Sequence, residues 1–192
     1  MRVGTIERRD RLTGESTAIA VTLADGALVS GASLSWQADS TSENGQRAVF
    51  NWAAIRAYWP DRHVLSAHTN TYDLALMQLD DDHPALRSRP TGMRAVYVSF
   101  LEVAPLLRTG NLHRRFDGLG PAMLSFAVTR SRQLGFSGRV SLHTIAEART
   151  FYARLGFREV EGPEPGFNEF WESYLELPPE AADRLMSPKA ED

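Results

Sequence analysis

The sequence predicts a mixed α/β fold, and three observations carry that reading. A nearly continuous apolar run, Arg94 to Val103, reads as a strand buried on both faces. A helical pattern over Pro121 to Leu134 and a short alternating strand over Arg139 to His143 follow it. Strand, crossover helix, strand implies a parallel pair with a right-handed connection. The N-terminal stretch, rich in Thr, Ile and Val, reads instead as antiparallel β structure. The expected architecture is a mixed sheet with helices on both faces, in one domain over residues 1–177 with a flexible tail at 178–192.

Composition bounds the function. The chain has 192 residues, 43% hydrophobic and 23% charged, enough for a substantial core in one domain. It has 21 Lys+Arg against 24 Asp+Glu, a net charge of −3, so no nucleic-acid partner is expected. Cys is absent, which excludes disulfides, thiolate metal sites and cysteine nucleophiles. No apolar run approaches the ~20 residues of a membrane helix. Met1 to Arg11 is charged and reads as no secretory signal, so no membrane partner and a cytoplasmic location are expected.

Each element has its own signal. Ser16 to Ala24 and Ala27 to Trp36 flank Asp25-Gly26, which predicts a β-hairpin. Asp39 to Gln46 is turn-like, and Ala48 to Trp59 predicts a short helix stopped by Pro60. Tyr72 to Leu79 fits strand or helix; Asp80 to Pro84 and Arg87 to Gly92 read as loop. Pro105 to Gly118 is an irregular connection. In the next helix Leu124, Ala127, Val128 and Leu134 share a side, Pro121 suits the first helical position and Gly135 the stop. Thr144 to Glu147 has the form of a capping box, opening a helix through Leu155 that Gly156 closes. Phe157 to Glu161 and Phe170 to Leu177 predict further strands.

The stretch with chemical content is Arg115-Phe116-Asp117-Gly118-Leu119-Gly120, between the buried strand and a helix N-terminus. Unpaired N–H groups and the positive end of the dipole attract anions there. Gly118 and Gly120 allow close approach of a phosphate, and Arg115 adds charge. Neither a Walker loop nor the dinucleotide fingerprint is present.

One strand later comes Ala148-Arg149-Thr150-Phe151-Tyr152-Ala153-Arg154-Leu155-Gly156-Phe157. Together with Arg-x-x-Gly-x-Gly, it closely resembles the GNAT superfamily of acyl-CoA N-acyltransferases, over roughly residues 94–161. The resemblance implies a GNAT-like fold and transfer of acetyl from acetyl-CoA to a primary amine by direct attack on the thioester. No metal is implied. Arg115, Phe116, Asp117, Gly118, Leu119, Gly120 and Ala122 would cradle the pyrophosphate. The strand before the loop would carry a bulge and splay from the next strand, so that the backbone of Leu101, Glu102 and Val103 meets the pantetheine arm. Tyr152 would be the acid that protonates the leaving thiolate. Three positions depart from the family: the connection at 105–114 is longer, Pro121 brings no N–H, and Ile145 stands where the family often has Asn.

An amine must lose a proton before it attacks, so a base is needed. An acidic residue in an apolar strand is costly unless solvated or used, which puts Glu102 forward as the base. His143, on the neighbouring strand, is the second candidate. Tyr97, Ser99 and His143 are the candidates for the acceptor side. His63 and His68, five apart, are not a helical metal pair and have no third ligand, and Asp80 to Asp82 with His83 read as a solvated loop. Arg108, His113, Arg114 and Arg115 form the local basic run and would meet the phosphates. The expected partner is a small-molecule or peptide amine, and the family resemblance allows a homodimer. The alternative readings are a non-catalytic acyl-CoA-binding or sensing module, an acetylating toxin acting on charged transfer RNA, and a structural domain without ligand.

Overall fold

The computed structural model describes residues 1–40, 50–85, 93–108, 114–160 and 173–187. Its strands are β1 (Arg2–Arg9), β2 (Ser16–Leu23), β3 (His63–His68), β4 (Asp73–Pro84), β5 (Arg94–Val103), β6 (Val140–Thr144), β7 (Arg158–Glu159) and β8 (Ser173–Leu177). Its helices are α1 (Gly26–Ser40), α2 (Trp52–Tyr58), α3 (Leu119–Gln133), α4 (Ala146–Arg154) and α5 (Pro179–Met186), with a 3₁₀ turn at Pro105–Leu107. The eight strands form one mixed sheet in the order β1-β2-β3-β4-β5-β6-β8-β7. The expected parallel pair is present, with Val96 opposite Val140 and Val98 opposite Leu142 in β5 and β6. No described helix is long and apolar enough to cross a membrane.

The chain divides into two compact units, Met1–Gln78 with Phe100–Met123, and Leu79–Ser99 with Leu124–Asp192. In the first, β1 and β2 form an antiparallel hairpin, from Arg2 opposite Thr22 to Arg9 opposite Ser16. Its core gathers Ala24, Val29, Ala32, Trp36, Trp52, Val64, Leu76 and Ala104. In the second, β6 pairs antiparallel with β8 along its whole length, and β7 pairs with β8. Here Leu142, Leu175, Leu177, Val128 and Ala127 are buried.

The structure corrects several local expectations. Ala27 to Trp36 is not a hairpin strand but part of α1. The Asp25 carboxylate accepts the Leu28 N–H at 2.9 Å and its carbonyl accepts the Val29 N–H, so Asp25 starts a helix rather than a turn. Val29, Ala32, Ser33 and Trp36 are buried at helical spacing. Asp80 to Pro84 continues β4, because Asp81 accepts from Arg130 and Asp82 from Arg94, which removes the cost of strand carboxylates. Residues 179–186 form α5, not a loose tail: Ala181 and Ala182 are fully buried, and Asp183 pairs with Arg132 at 2.5 Å.

At α3 the helix begins at Leu119, with the Gly118 carbonyl accepting the Ala122 N–H at 3.1 Å. Pro121 is therefore the third helical residue, still in the turn where a missing N–H costs nothing. The helix ends as expected: Gly135 has φ +80°, Phe136 N–H bonds the Ser131 carbonyl and Gly135 N–H that of Arg132. The capping box does not form. Ile145 is the N-cap without a side-chain bond, and the Thr144 hydroxyl donates to the Ile145 carbonyl instead. The expected segments Arg87 to Gly92 and Thr109 to His113, most of Asp39 to Gln46, and 170–172 lie outside the described residues.

Candidate functional site

The residues expected to cradle a pyrophosphate, Arg115 to Ala122, all lie in the first unit. Phe116, Leu119 and Ala122 are buried and seat the loop on the core, while Asp117 and Gly118 are exposed. Gly118 sits at φ +69°, a left-handed bend that a side chain rarely adopts. It caps α3, so the N–H groups of Leu119 and Gly120 open the helix without an intrahelical acceptor. Those donors and the helix dipole suit an anion.

The arginines around this loop are tied to specific partners. Arg115, about two-fifths exposed, donates from Nε to Asp10 Oδ2 at 3.0 Å and also bonds it through Nη2. Asp10 is buried, and its carboxyl is held below the usual value, chiefly by Arg115 and then by the Leu12 N–H. Arg114 pairs with Asp117 at 2.6 Å, and Arg11 lies 3.8 Å from the same carboxylate. Arg8 donates to the carbonyls of Asp117 at 3.0 Å and Gly118 at 3.2 Å. Sequence reasoning missed Asp10 and Arg8. Their only signal was one carboxylate set inside the basic run Arg8-Arg9-Asp10-Arg11.

Glu102, near the end of β5, is 5% exposed. Its Oε2 accepts the Trp52 indole N–H at 2.7 Å and the Phe50 N–H at 3.3 Å, and its Oε1 meets Arg108 at 2.5 Å. Burial pushes its carboxyl up, and the Trp52, Arg108 and Phe50 donors pull against that shift. Leu101 and Val103, on either side, are half-buried. The Val103 carbonyl accepts from Arg108 Nε at 3.2 Å.

The second unit brings Tyr97 and His143 together. Tyr97 Oη lies 2.7 Å from His143 Nδ1, and both residues are buried. His83 stacks on Tyr97 at 4.5 Å between ring centroids, and Tyr174 leans on His143 at 5.1 Å. Tyr174 Oη donates to Glu176 Oε1 at 3.2 Å. Burial, reinforced by His83, lowers the His143 pKa to about 4, so the imidazole is neutral at neutral pH. Ser99 is buried in the same unit. Tyr152, on α4, is buried against Phe151 and Phe157 at 5.0 and 5.4 Å. Burial alone pushes its phenol well above the ordinary tyrosine range, so it stays protonated. Among the described residues no group of three or more His, Asp or Glu is arranged to hold a metal ion.

No family model and no curated protein matches the chain. Solved structures do. An insect protein assigned as arylalkylamine N-acetyltransferase 7, from the yellow fever mosquito Aedes aegypti, matches with a TM-score of 0.56 at 14% identity, over 92% of this chain and 94% of its own. A point mutant of the AtaT toxin, bound to acetyl-CoA and the C-terminus of the antitoxin AtaR, matches with a TM-score of 0.54 at 14% identity, over 88% and 99%. An acetyltransferase of Streptococcus agalactiae matches with a TM-score of 0.52 at 15% identity, over 82% and 96%. The chain has the GNAT acetyltransferase fold.

Proposed function

We propose that this protein is an acyl-CoA-dependent N-acetyltransferase that moves acetyl from acetyl-CoA to a primary amine. The observation that carries the proposal is the loop from Arg115 to Ala122: a glycine-capped helix start whose first N–H groups have no intrahelical acceptor, with several arginines around it, on a GNAT fold. A structural neighbour that holds acetyl-CoA supports the choice of cosubstrate. In this reading the loop holds pyrophosphate, and the backbone around Leu101 and Val103 meets the pantetheine arm.

The chemistry then needs a proton acceptor for the amine and a donor for the departing thiolate. Tyr152 is the donor. A phenol held above its ordinary pKa stays protonated, and it can stabilise the thiolate by hydrogen bonding as charge develops. For the acceptor, the surroundings of Glu102 favour an anchoring role, since three N–H donors already occupy its two oxygens. His143, bonded to Tyr97, is the alternative proton acceptor, although burial makes it a weak base, with Tyr97 and Ser99 on the acceptor side.

The test is release of CoA from acetyl-CoA across a panel of primary amines, for wild type and Tyr152→Phe. Turnover by the wild type, reduced about 10²-fold in the variant with acetyl-CoA affinity retained, supports the reading. Binding without turnover for any amine supports an acyl-CoA-binding or sensing module instead.

A further inference from the structure

We infer that the β1–β2 hairpin is a working part of the phosphate site, with Asp10 aiming Arg115 and Arg8 fixing the bend at Gly118. The inference rests on the acyl-CoA reading of the loop and adds residues to it from the far end of the sequence.

The contacts are specific. Asp10 divides its carboxylate between two tasks. Its Oδ1 accepts the Leu12 N–H at 2.9 Å and closes the hairpin turn, while its Oδ2 takes two N–H groups of Arg115. The Arg11 N–H donates to the Arg115 carbonyl at 2.8 Å, so backbone and side chain of Arg115 are both held by the hairpin. A guanidinium has five donors, and two are spent on Asp10. The remaining edge of a side chain two-fifths exposed is then presented in one orientation.

Arg8 acts on the other end of the loop. In a trans peptide the carbonyl of one residue and the N–H of the next point in opposite directions. Drawing the Asp117 and Gly118 carbonyls onto Arg8 therefore turns the Gly118 and Leu119 N–H groups the other way. These are donors an anion at the start of α3 would use. The approach is close: a Cβ on Gly118 would lie 3.4 Å from Arg8 Nε. Among the described residues Arg8 meets carbonyl oxygens and no carboxylate. Around the loop Arg115 pairs with Asp10, and Arg114 and Arg11 meet Asp117. Arg8 and Asp10 are thus positioning residues, acting through the loop and Arg115.

The test titrates acetyl-CoA into wild type, Arg8→Ala, Arg8→Lys and Asp10→Asn. In parallel, ¹⁵N-labelled wild type receives acetyl-CoA or acetyl-pantetheine, which lacks the nucleotide and pyrophosphate. The expected result is a loss of at least about tenfold in acetyl-CoA affinity for Arg8→Ala and Asp10→Asn, with partial recovery in Arg8→Lys. In the wild type the Gly118 and Leu119 amides and the Arg8 Nε–H should shift with acetyl-CoA and stay in place with acetyl-pantetheine. A purely structural hairpin would leave the variant affinities equal to wild type and the Arg8 Nε–H unmoved while the loop amides still shift, which overturns the inference while the acyl-CoA reading stands. Failure of the wild type to bind acetyl-CoA at all overturns the reading itself. The wild-type spectra decide between these outcomes even if a variant fails to fold.

Discussion

The indole N–H of Trp52 donates to Glu102 at 2.7 Å, tying the first residue of α2 to the end of β5 across fifty positions of sequence. Arg108 closes the other oxygen, so a buried carboxylate is satisfied from two sides. Removing it takes the carboxylate from the half-buried Arg108 and leaves two N–H donors without their acceptor. Glu102→Ala should cost about 1–3 kcal/mol, read as the free energy of urea unfolding. The pH dependence has a definite sign. The folded carboxyl sits above the unfolded value of 4.5, so the native state holds its proton more tightly. The contribution is greatest below pH 4.5 and falls as pH rises through the folded pKa. The stability difference between wild type and Glu102→Gln should therefore shrink as pH rises above 4.5; a difference that grows would contradict the assignment.

His143 gives the opposite slope. Its pKa falls from 6.5 to about 4 on folding, so the unfolded chain binds more protons between those values. Stability should drop on acidification from pH 6.5 to about 4, by on the order of 3 kcal/mol from this group. His143→Gln should flatten that part of the urea-midpoint profile. Parallel profiles for the two proteins would show that His143 does not titrate as its surroundings require.

Two glycines should respond in opposite directions to alanine. Gly156 stands at φ +93°, where an added Cβ would lie only 2.8 Å from the Cβ of Ala181. Gly156→Ala should destabilise by ~1–3 kcal/mol through strain and collision with α5. Gly31 lies inside α1 with nothing within 4 Å of its Cβ position. Gly31→Ala should stabilise by about 0.5–1 kcal/mol. Thermal melts of the two variants check both signs, and a neutral Gly156→Ala would refute the packing of α5 on the α4 stop.

These residues also show where the sequence was readable. β5 and the end of α3 were legible because each rests on local signals: a long apolar run, and glycine at a left-handed stop. The bend at Gly118 and the helix start after it were legible because the glycines are contiguous with the helical pattern. Asp25-Gly26 misled, since Asp before Gly serves a helix start as well as a turn. The spacing of Val29, Ala32, Ser33 and Trp36 was the signal that decides for a helix. Asp80 to Asp82 reads as loop until Arg94 and Arg130, far along the chain, supply the counter-charges. Asp10 is the same case at the site. Its partner lies 105 residues away, and no local pattern announces it.

The most direct measurement of the acyl-CoA reading is isothermal titration of acetyl-CoA into the wild type and into a double variant, Arg115→Ala with Gly118→Trp. The acyl-CoA reading predicts binding by the wild type and none by the variant, whose indole would fill the bend beside Arg8. Absence of binding by the wild type would contradict that reading, leaving the loop as a helix start without a ligand.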